Sequence, residues 1–356
     1  MTAKTCNITP ARPQHVLIIK PSALGDVVTA MPVLRGLRRT FGREVRIAWL
    51  IDEAYRLLIE QDGDLDEAII FDRRHLARAW RSPAAAGAVL RLRKTLRNGG
   101  FDWVIDLQGL LRSGLLTAAT KAPLRVGFAD AREGASVFYT HRVEAHSRHT
   151  VDRNIELARS LGIDAGEQDM TLQVTDAGRR FAEQLTRQHG LRSGDFIVCS
   201  VPTRWATKQY PVRHWRAVAA ELAKEVPVVL SGSPAQAERL LCDAVAEGLG
   251  SGVINLGGRT DIQQMVGLIA ASAGVICCDS AAKFIAPAVG VDSITLIGPT
   301  RPEHTGPYLL GRAIIADVPC RGCLKRRCRH ITCMQLIKPA DVIAAAKESL
   351  LQREKT

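Results

Sequence analysis

A chain of 356 residues exceeds what one hydrophobic core usually serves, so two domains are expected. With 46% apolar and 24% charged residues it is neither disordered nor collagen-like. Its 48 Lys+Arg against 36 Asp+Glu give a net charge of +12, which favours an anionic partner: nucleic acid, a nucleotide phosphate or an acidic membrane face.

The first half alternates short β-branched runs with longer amphipathic stretches. Strands are expected at 15–20, 45–51, 67–72, 102–107 and 124–128, with helical spacing over 27–41, 54–61, 84–99 and 110–120. The acidic, turn-rich segment 162–178 reads as a hinge. The second half repeats the scheme, with strands at 196–201, 226–232, 252–258, 274–279 and 293–299 and helices near 213–224, 235–248, 261–271 and 280–289. This pattern predicts an α/β chain of two Rossmann-like, doubly wound parallel-sheet domains, 1–172 and 173–337, followed by a C-terminal helix within 338–356. No run of about 18 apolar residues occurs and the start lacks the apolar stretch of a signal peptide, so a cytoplasmic location is expected.

Ligands of open parallel sheets sit outside the carboxyl ends of the strands. After the first strand comes "KPSALGD", where Gly25 would allow a tight turn and Asp26 would open a helix, with Lys20 and Ser22 beside it. A helix cap is the plainer role for Asp26; its place at a strand end makes a catalytic role the alternative. The loop has neither G-x-G-x-x-G nor the Walker lysine, which argues against a dinucleotide oxidoreductase and a P-loop ATPase. In the second half, "PTRWATKQYP" brings Thr203, Arg204 and Lys208 after a strand, a hydroxyl and two cations suited to a diphosphate. Glu238 opens a later helix and could hold ribose hydroxyls or only pair on the surface. Asp279 and Ser280 stand where a further helix starts, either as caps or as part of an anion site.

The ordered set "VLIIKPSALGDVVTAMPVLRGLR", "FDWVIDLQGLLRSG", "RVGF", "RWATKQYP", "CDSAAKFIAPAVG" and "LIGPTRPEHTGPY" resembles the bacterial lipopolysaccharide heptosyltransferases over nearly the whole chain. The resemblance implies a GT-B fold with two domains facing a cleft. It implies inverting transfer of heptose from ADP-L-glycero-D-manno-heptose to a Kdo-lipid A type acceptor, without a catalytic metal. It assigns Asp26 as general base, and Ser22 and Gly25 to the loop near the phosphates. Thr203, Arg204 and Lys208 fall on the donor-phosphate loop, with Lys208 neutralising the leaving ADP. Glu238 falls near the ribose, Met265 beside the base, and Asp279, Ser280 and Ala281 on the step that binds the diphosphate. Much of the rate is expected from Lys208 and the second helix start, with a severe loss also expected on removing Asp26. Two positions depart from the family pattern: Ala281 replaces its glycine and Phe284 its histidine. They motivate the alternatives of a different nucleotide-sugar donor or a catalytically silent binding relative.

The basic segments "RGLRRTFGR" and "VLRLRKTLRNGG" would suit an anionic lipid acceptor at the inner face of the cytoplasmic membrane, where a peripheral protein is expected. No nucleic-acid motif or aromatic platform appears. The pair Asp64 and Asp66 precedes a strand and reads as a solvated turn. Cys320, Cys323, Cys328 and Cys333 have the spacing C-x2-C-x4-C-x4-C, which could close on a structural zinc or iron or remain four reduced thiols. Related autotransporter heptosyltransferases hold iron with cysteines, so the resemblance keeps both metals open. Cys6, Cys199, Cys242, Cys277 and Cys278 read as isolated or strand-core thiols.

Overall fold

The computed structural model describes residues 11–73 and 81–353; Cys6 lies outside them. The chain divides into two compact units, Met1–Thr171 and Leu172–Thr356. In the first unit, six strands are described: β1 (His15–Ile19), β2 (Arg46–Ile51), β3 (Glu67–Ile70), β4 (Trp103–Asp106), β5 (Leu124–Phe128) and β6 (His141–Val143). They form one parallel sheet in the order β3-β2-β1-β4-β5-β6, with Ile19 level with Leu50 on one side and Asp106 on the other. Helices cover both faces of such a sheet, so its central strands are mainly apolar: Val16, Leu17, Ile18 and Ile19 are fully buried. Each such side chain contributes roughly 1.5–3 kcal/mol through burial.

The second unit builds the same topology from β7 (Ile197–Ser200), β8 (Val228–Ser231), β9 (Val253–Asn255), β10 (Gly274–Cys278), β11 (Ser293–Ile297) and β12 (Gly311–Ile315). Its order, β12-β11-β10-β7-β8-β9, is the first sheet's order read from the other edge. The helices Asp176–His189 and Ile262–Ala270 pack closely at a pair of glycines, and a Cβ at Gly267 would overlap the backbone of Gly178. The final helix, Pro339–Arg353, packs into the core of this unit through Val342 and Ala346.

The two edge strands β6 and β12 were not expected from the sequence. Both are short or half-exposed, so they lack the continuous apolar run of the inner strands. The segment 54–61, expected as a helix, is a 3₁₀ turn over Glu53–Leu58, capped by Asp52, whose carboxylate accepts the Ala54 N–H at 3.1 Å. Gly25 does not make a left-handed turn: α1 (Leu24–Val28) already includes it as the second helical residue.

Asp64 and Asp66 are not a solvated turn, and the basic residues of α2 (Met31–Phe41) are not a free basic face. Each explains the other. Arg35 grips Asp62 in a two-pronged pair at 2.5 and 2.6 Å and reaches Asp64 at 2.9 Å. Arg38 is buried and bonds Asp66 at 2.7 Å, while Arg39 pairs with Asp164 and Asp169. Charges that alternate in sequence as apparent surface residues are neutralised inside the fold.

Candidate active site

In both sheets the chain order reverses between the two middle strands, β1 and β4 in the first unit and β7 and β10 in the second. Loops leaving those strands diverge to opposite faces and open a crevice. Lys20 and Asp26 lie at the first of these points, and Lys208 and Asp279 at the second.

At the second switch point, the loop after β7 folds into a short 3₁₀ turn, Ala206–Lys208, and the loop after β10 begins with Asp279. Lys208 Nζ lies 2.7 Å from Asp279 Oδ2, and its ammonium also sits 4.4 Å from the centre of the Trp205 ring. Asp279 Oδ2 accepts from Thr300 Oγ1 at 2.6 Å, and Asp279 Oδ1 pairs with Lys283. Burial alone would raise the Asp279 pKa, yet the Lys283 and Lys208 charges overcome it and bring the carboxyl down to about 2. One carboxylate and two ammonium groups leave this cluster with one net positive charge.

The sequence placed Asp279 at a helix start as a cap or as part of an anion site, and the structure assigns it differently. The following helix, Ala282–Ala288, has only seven residues and takes Ala281, not Asp279, as its N-cap. Its dipole is small and the nearest side chain is an anion, so attraction for a phosphate must come from the lysines. Ala281 has ordinary right-handed angles (φ −64°, ψ −28°), so alanine in place of glycine strains nothing. The half-buried Ser280 donates its backbone N–H to Cys278 O at 2.6 Å.

The other residues singled out in the second unit lie on several of its loops and helices. Thr203 Oγ1 donates to Trp205 O at 2.8 Å and stiffens the loop, while Arg204 is exposed. Glu238 lies after β8 in the first turn of Gln236–Ala246, where its Oε2 accepts the Ser233 N–H at 2.8 Å. Met265 is half-buried in the helix Ile262–Ala270.

At the first switch point, Asp26 is the third residue of α1, and its Oδ2 accepts the Ala23 N–H at 2.9 Å. Asp26 is therefore not the N-cap, which is Ala23, but the third helical residue reaching back to the cap's N–H. It uses one oxygen of a half-buried carboxylate and leaves Oδ1 outside that bond. The Ser22–Ala23 peptide bond beside it is cis. Lys20 is buried, and its ammonium crosses the switch point to donate to Leu107 O at 2.7 Å. Burial lowers its pKa against the pull of Asp26 and Asp106. Asp106 is fully buried at the end of β4, accepting from Tyr139 OH at 2.7 Å and from the Gln108 and Gly109 N–H groups. Burial raises its pKa, with those hydrogen bonds opposing.

Lys283, Thr300, Trp205 and Asp106 were not singled out from the sequence. A lysine inside the apolar run "AAKFIAPA", four residues after an aspartate, was the available signal for Lys283.

The expected metal set is not formed. Among the described residues no group of three or more His, Cys, Asp or Glu side chains is placed to hold an ion. Cys333 is drawn into the core of the second unit, where its sulfur lies close to Gly298 with Met334, whereas Cys320, Cys323 and Cys328 are exposed. Burial raises the Cys333 pKa, and the nearby Cys320, Cys323 and Cys328 add to that shift, so the four thiols stay in one neighbourhood. The segment touches two loops of the second unit: Arg326 covers the Trp205 ring after β7 at 4.7 Å, and the Leu324 N–H donates to Pro299 O after β11 at 2.7 Å.

Two parallel sheets of one topology, each in its own unit, give an α/β protein of the GT-B fold class. A family profile described as "Glycosyltransferase family 9 (heptosyltransferase)" matches residues 89–333, and the chain belongs to that family; it is a glycosyltransferase. It is 28% identical over 324 residues to lipopolysaccharide heptosyltransferase 1 of Pseudomonas aeruginosa, covering 89% of this chain and 88% of that one. It is 26% identical over 301 residues to lipopolysaccharide heptosyltransferase 1 of Escherichia coli, covering 83% and 91%. Its fold is similar to that of the E. coli heptosyltransferase WaaC solved with ADP: TM-score 0.75 at 24% identity, covering 94% and 99% of the two chains.

Proposed function

We propose that this enzyme is an inverting transferase that moves heptose from ADP-L-glycero-D-manno-heptose to a Kdo-lipid A type inner-core acceptor. The observation that carries this reading is the Lys208–Asp279–Lys283 cluster, a cationic site at the second switch point of a family 9 chain. In this reading the second unit takes the nucleotide sugar. Lys208 meets the diphosphate, Thr203 and Arg204 flank it, Glu238 approaches the ribose, and Met265 lies beside the base. Ala281 offers a main-chain N–H group, whereas that of Ser280 is taken by Cys278 O. The first unit takes the acceptor, with Ser22 and Gly25 shaping the loop around Asp26.

The chemistry is a single displacement. An Asp26 carboxylate oxygen accepts the proton of the acceptor hydroxyl as that oxygen bonds to the anomeric carbon. The bond from that carbon to the phosphate oxygen breaks, and ADP leaves with the electron pair. Charge grows on the departing phosphate, where Lys208 stabilises it without a catalytic metal.

Calorimetric titration with ADP-heptose, ADP-glucose and UDP-sugars, followed by product analysis with a Kdo-lipid A acceptor, tests this reading. Binding of the ADP-sugars with turnover of the heptose donor is expected. Preference for a uridine donor, or binding without turnover, would contradict it.

A peripheral position on the cytoplasmic membrane is part of the same reading. The helix Pro83–Asn98 exposes Arg91, Arg93, Lys94 and Arg97 beside Val89 and Leu90, the latter 64% exposed. Next to it, Phe71, Leu92, Leu115 and Leu116 line a cavity of about 560 Å³ together with Arg93 and Arg112. Cations beside exposed apolar groups favour an anionic leaflet, at about 1 kcal/mol per basic residue. Among the described residues no helix is long and apolar enough to cross a membrane. Replacing Arg91, Arg93 and Lys94 by Glu should abolish sedimentation with anionic vesicles; unchanged sedimentation would remove this surface from the account.

A further inference from the structure

Lys208 and Lys283 share one carboxylate but are not equivalent. Lys208 stands on a single 3₁₀ turn with 15% of its side chain exposed, whereas Lys283 lies in the helix Ala282–Ala288 with 4% exposed. The Lys283 ammonium sits 4.6 Å from the centre of the Phe284 ring. Lys283 pairs with Asp279 Oδ1, while Lys208 and Thr300 share Oδ2. Lys208 can therefore leave the carboxylate without orphaning either oxygen: Oδ1 keeps Lys283 and Oδ2 keeps Thr300.

We propose that Lys283 is a positioning residue that holds Asp279 so that Lys208 is released to the donor diphosphate. This rests on the reading of Lys208 as the diphosphate ligand and adds the residue that makes it available. Without Lys283, Lys208 and Asp279 form a neutral one-to-one pair. An incoming diphosphate would then compete with a buried carboxylate for the only nearby ammonium, and pulling Lys208 away would leave that carboxylate without a counter-cation. With Lys283, the cluster keeps a surplus cation. Lys283 itself need not touch the ligand, and its burial keeps it from doing so.

The test is calorimetric binding of ADP and of adenosine to the full chain. Lys283→Met should weaken ADP roughly ten- to hundredfold, because Lys208 is then pinned. Adenosine, which lacks the diphosphate, should bind it as it binds the wild type. The double variant Asp279→Asn with Lys283→Met has no carboxylate to hold Lys208 and should recover ADP binding to within about threefold of wild type. A merely structural lysine would show no such rescue. ADP binding to Lys283→Met at wild-type strength, equal loss of adenosine, or a double variant no better than the single one would each overturn the proposal. A wild-type chain that binds no ADP would instead overturn the donor reading itself. Should Lys283→Met fail to fold, the lysine ammonium signals of the wild type, followed by nitrogen-15 NMR, decide the matter. ADP should move the Lys208 signal and leave that of Lys283 in place; the reverse would refute the handover.

Discussion

Lys208 Nζ stands 2.7 Å from Asp279 Oδ2, a contact that joins the loop after β7 to the loop after β10 across the point where the second sheet reverses its strand order. The first sheet has a counterpart: Lys20 Nζ reaches Leu107 O from the end of β1 to the end of β4. Each crevice is thus bridged by a lysine. In the second unit that lysine is partly exposed and paired with a carboxylate that a further cation also serves. In the first it is buried against a carbonyl.

Trp205 steadies the more exposed lysine, because its ring faces the Lys208 ammonium at 4.4 Å and the Arg326 guanidinium at 4.7 Å. Each contact is worth roughly 0.5–2 kcal/mol. Trp205→Ala should raise the donor KM about tenfold with a smaller change in kcat, and Trp205→Phe should restore most of it. Steady-state kinetics with varied donor would show this, and an unchanged KM would mean that the ring does not position Lys208.

Asp279 should leave a mark on acid stability. Its carboxyl titrates at about 2 in the folded chain against an ordinary 3.8. The unfolded state therefore binds the proton more readily. The stabilisation is complete above about pH 4 and is lost as pH falls through about 2, a change of about 2 kcal/mol. Asp279→Asn should be less stable at neutral pH by about 3 kcal/mol, because Lys283 loses its counter-ion. Chemical denaturation across this range should show the gap to wild type narrowing towards acid. A constant gap would contradict the assignment.

The glycine pair of the second unit should be sensitive to one methyl group. Gly267→Ala places a Cβ against the Gly178 backbone, which cannot yield as a flexible side chain would. A loss of about 1–3 kcal/mol is expected from overpacking, read as a lowered denaturation midpoint. An unaffected midpoint would show that the two helices part freely.

Much of the fold was legible because inner strands of parallel sheets are continuous apolar runs. "HVLII" and "GVICC" announce β1 and β10, and the residues after them announce the switch points. The edge strands β6 and β12 carry no such run, since one side of each faces solvent or loop. Charge pairing was the least legible feature. Arg35 and Asp62 lie 27 residues apart and meet only when β2 and β3 align, so helix and turn both looked solvated. Lys283 was obscured for the same reason: nothing local shows that Thr300, 17 residues later, turns back to the same carboxylate that Lys283 holds. The cysteine spacing suggested a closed site, but it could not show that Cys333 is buried beside Met334 while Cys320, Cys323 and Cys328 stay exposed.

The proposed reaction divides the labour between two residues: Lys208 would bind the donor diphosphate and Asp26 would take the acceptor proton. The most direct measurement is calorimetric ADP binding beside turnover for Lys208→Ala and Asp26→Asn. Both variants should lose turnover, by on the order of a hundredfold or more, but only Lys208→Ala should lose ADP affinity. An Asp26→Asn chain that turns over normally, or one that loses ADP as Lys208→Ala does, would contradict it.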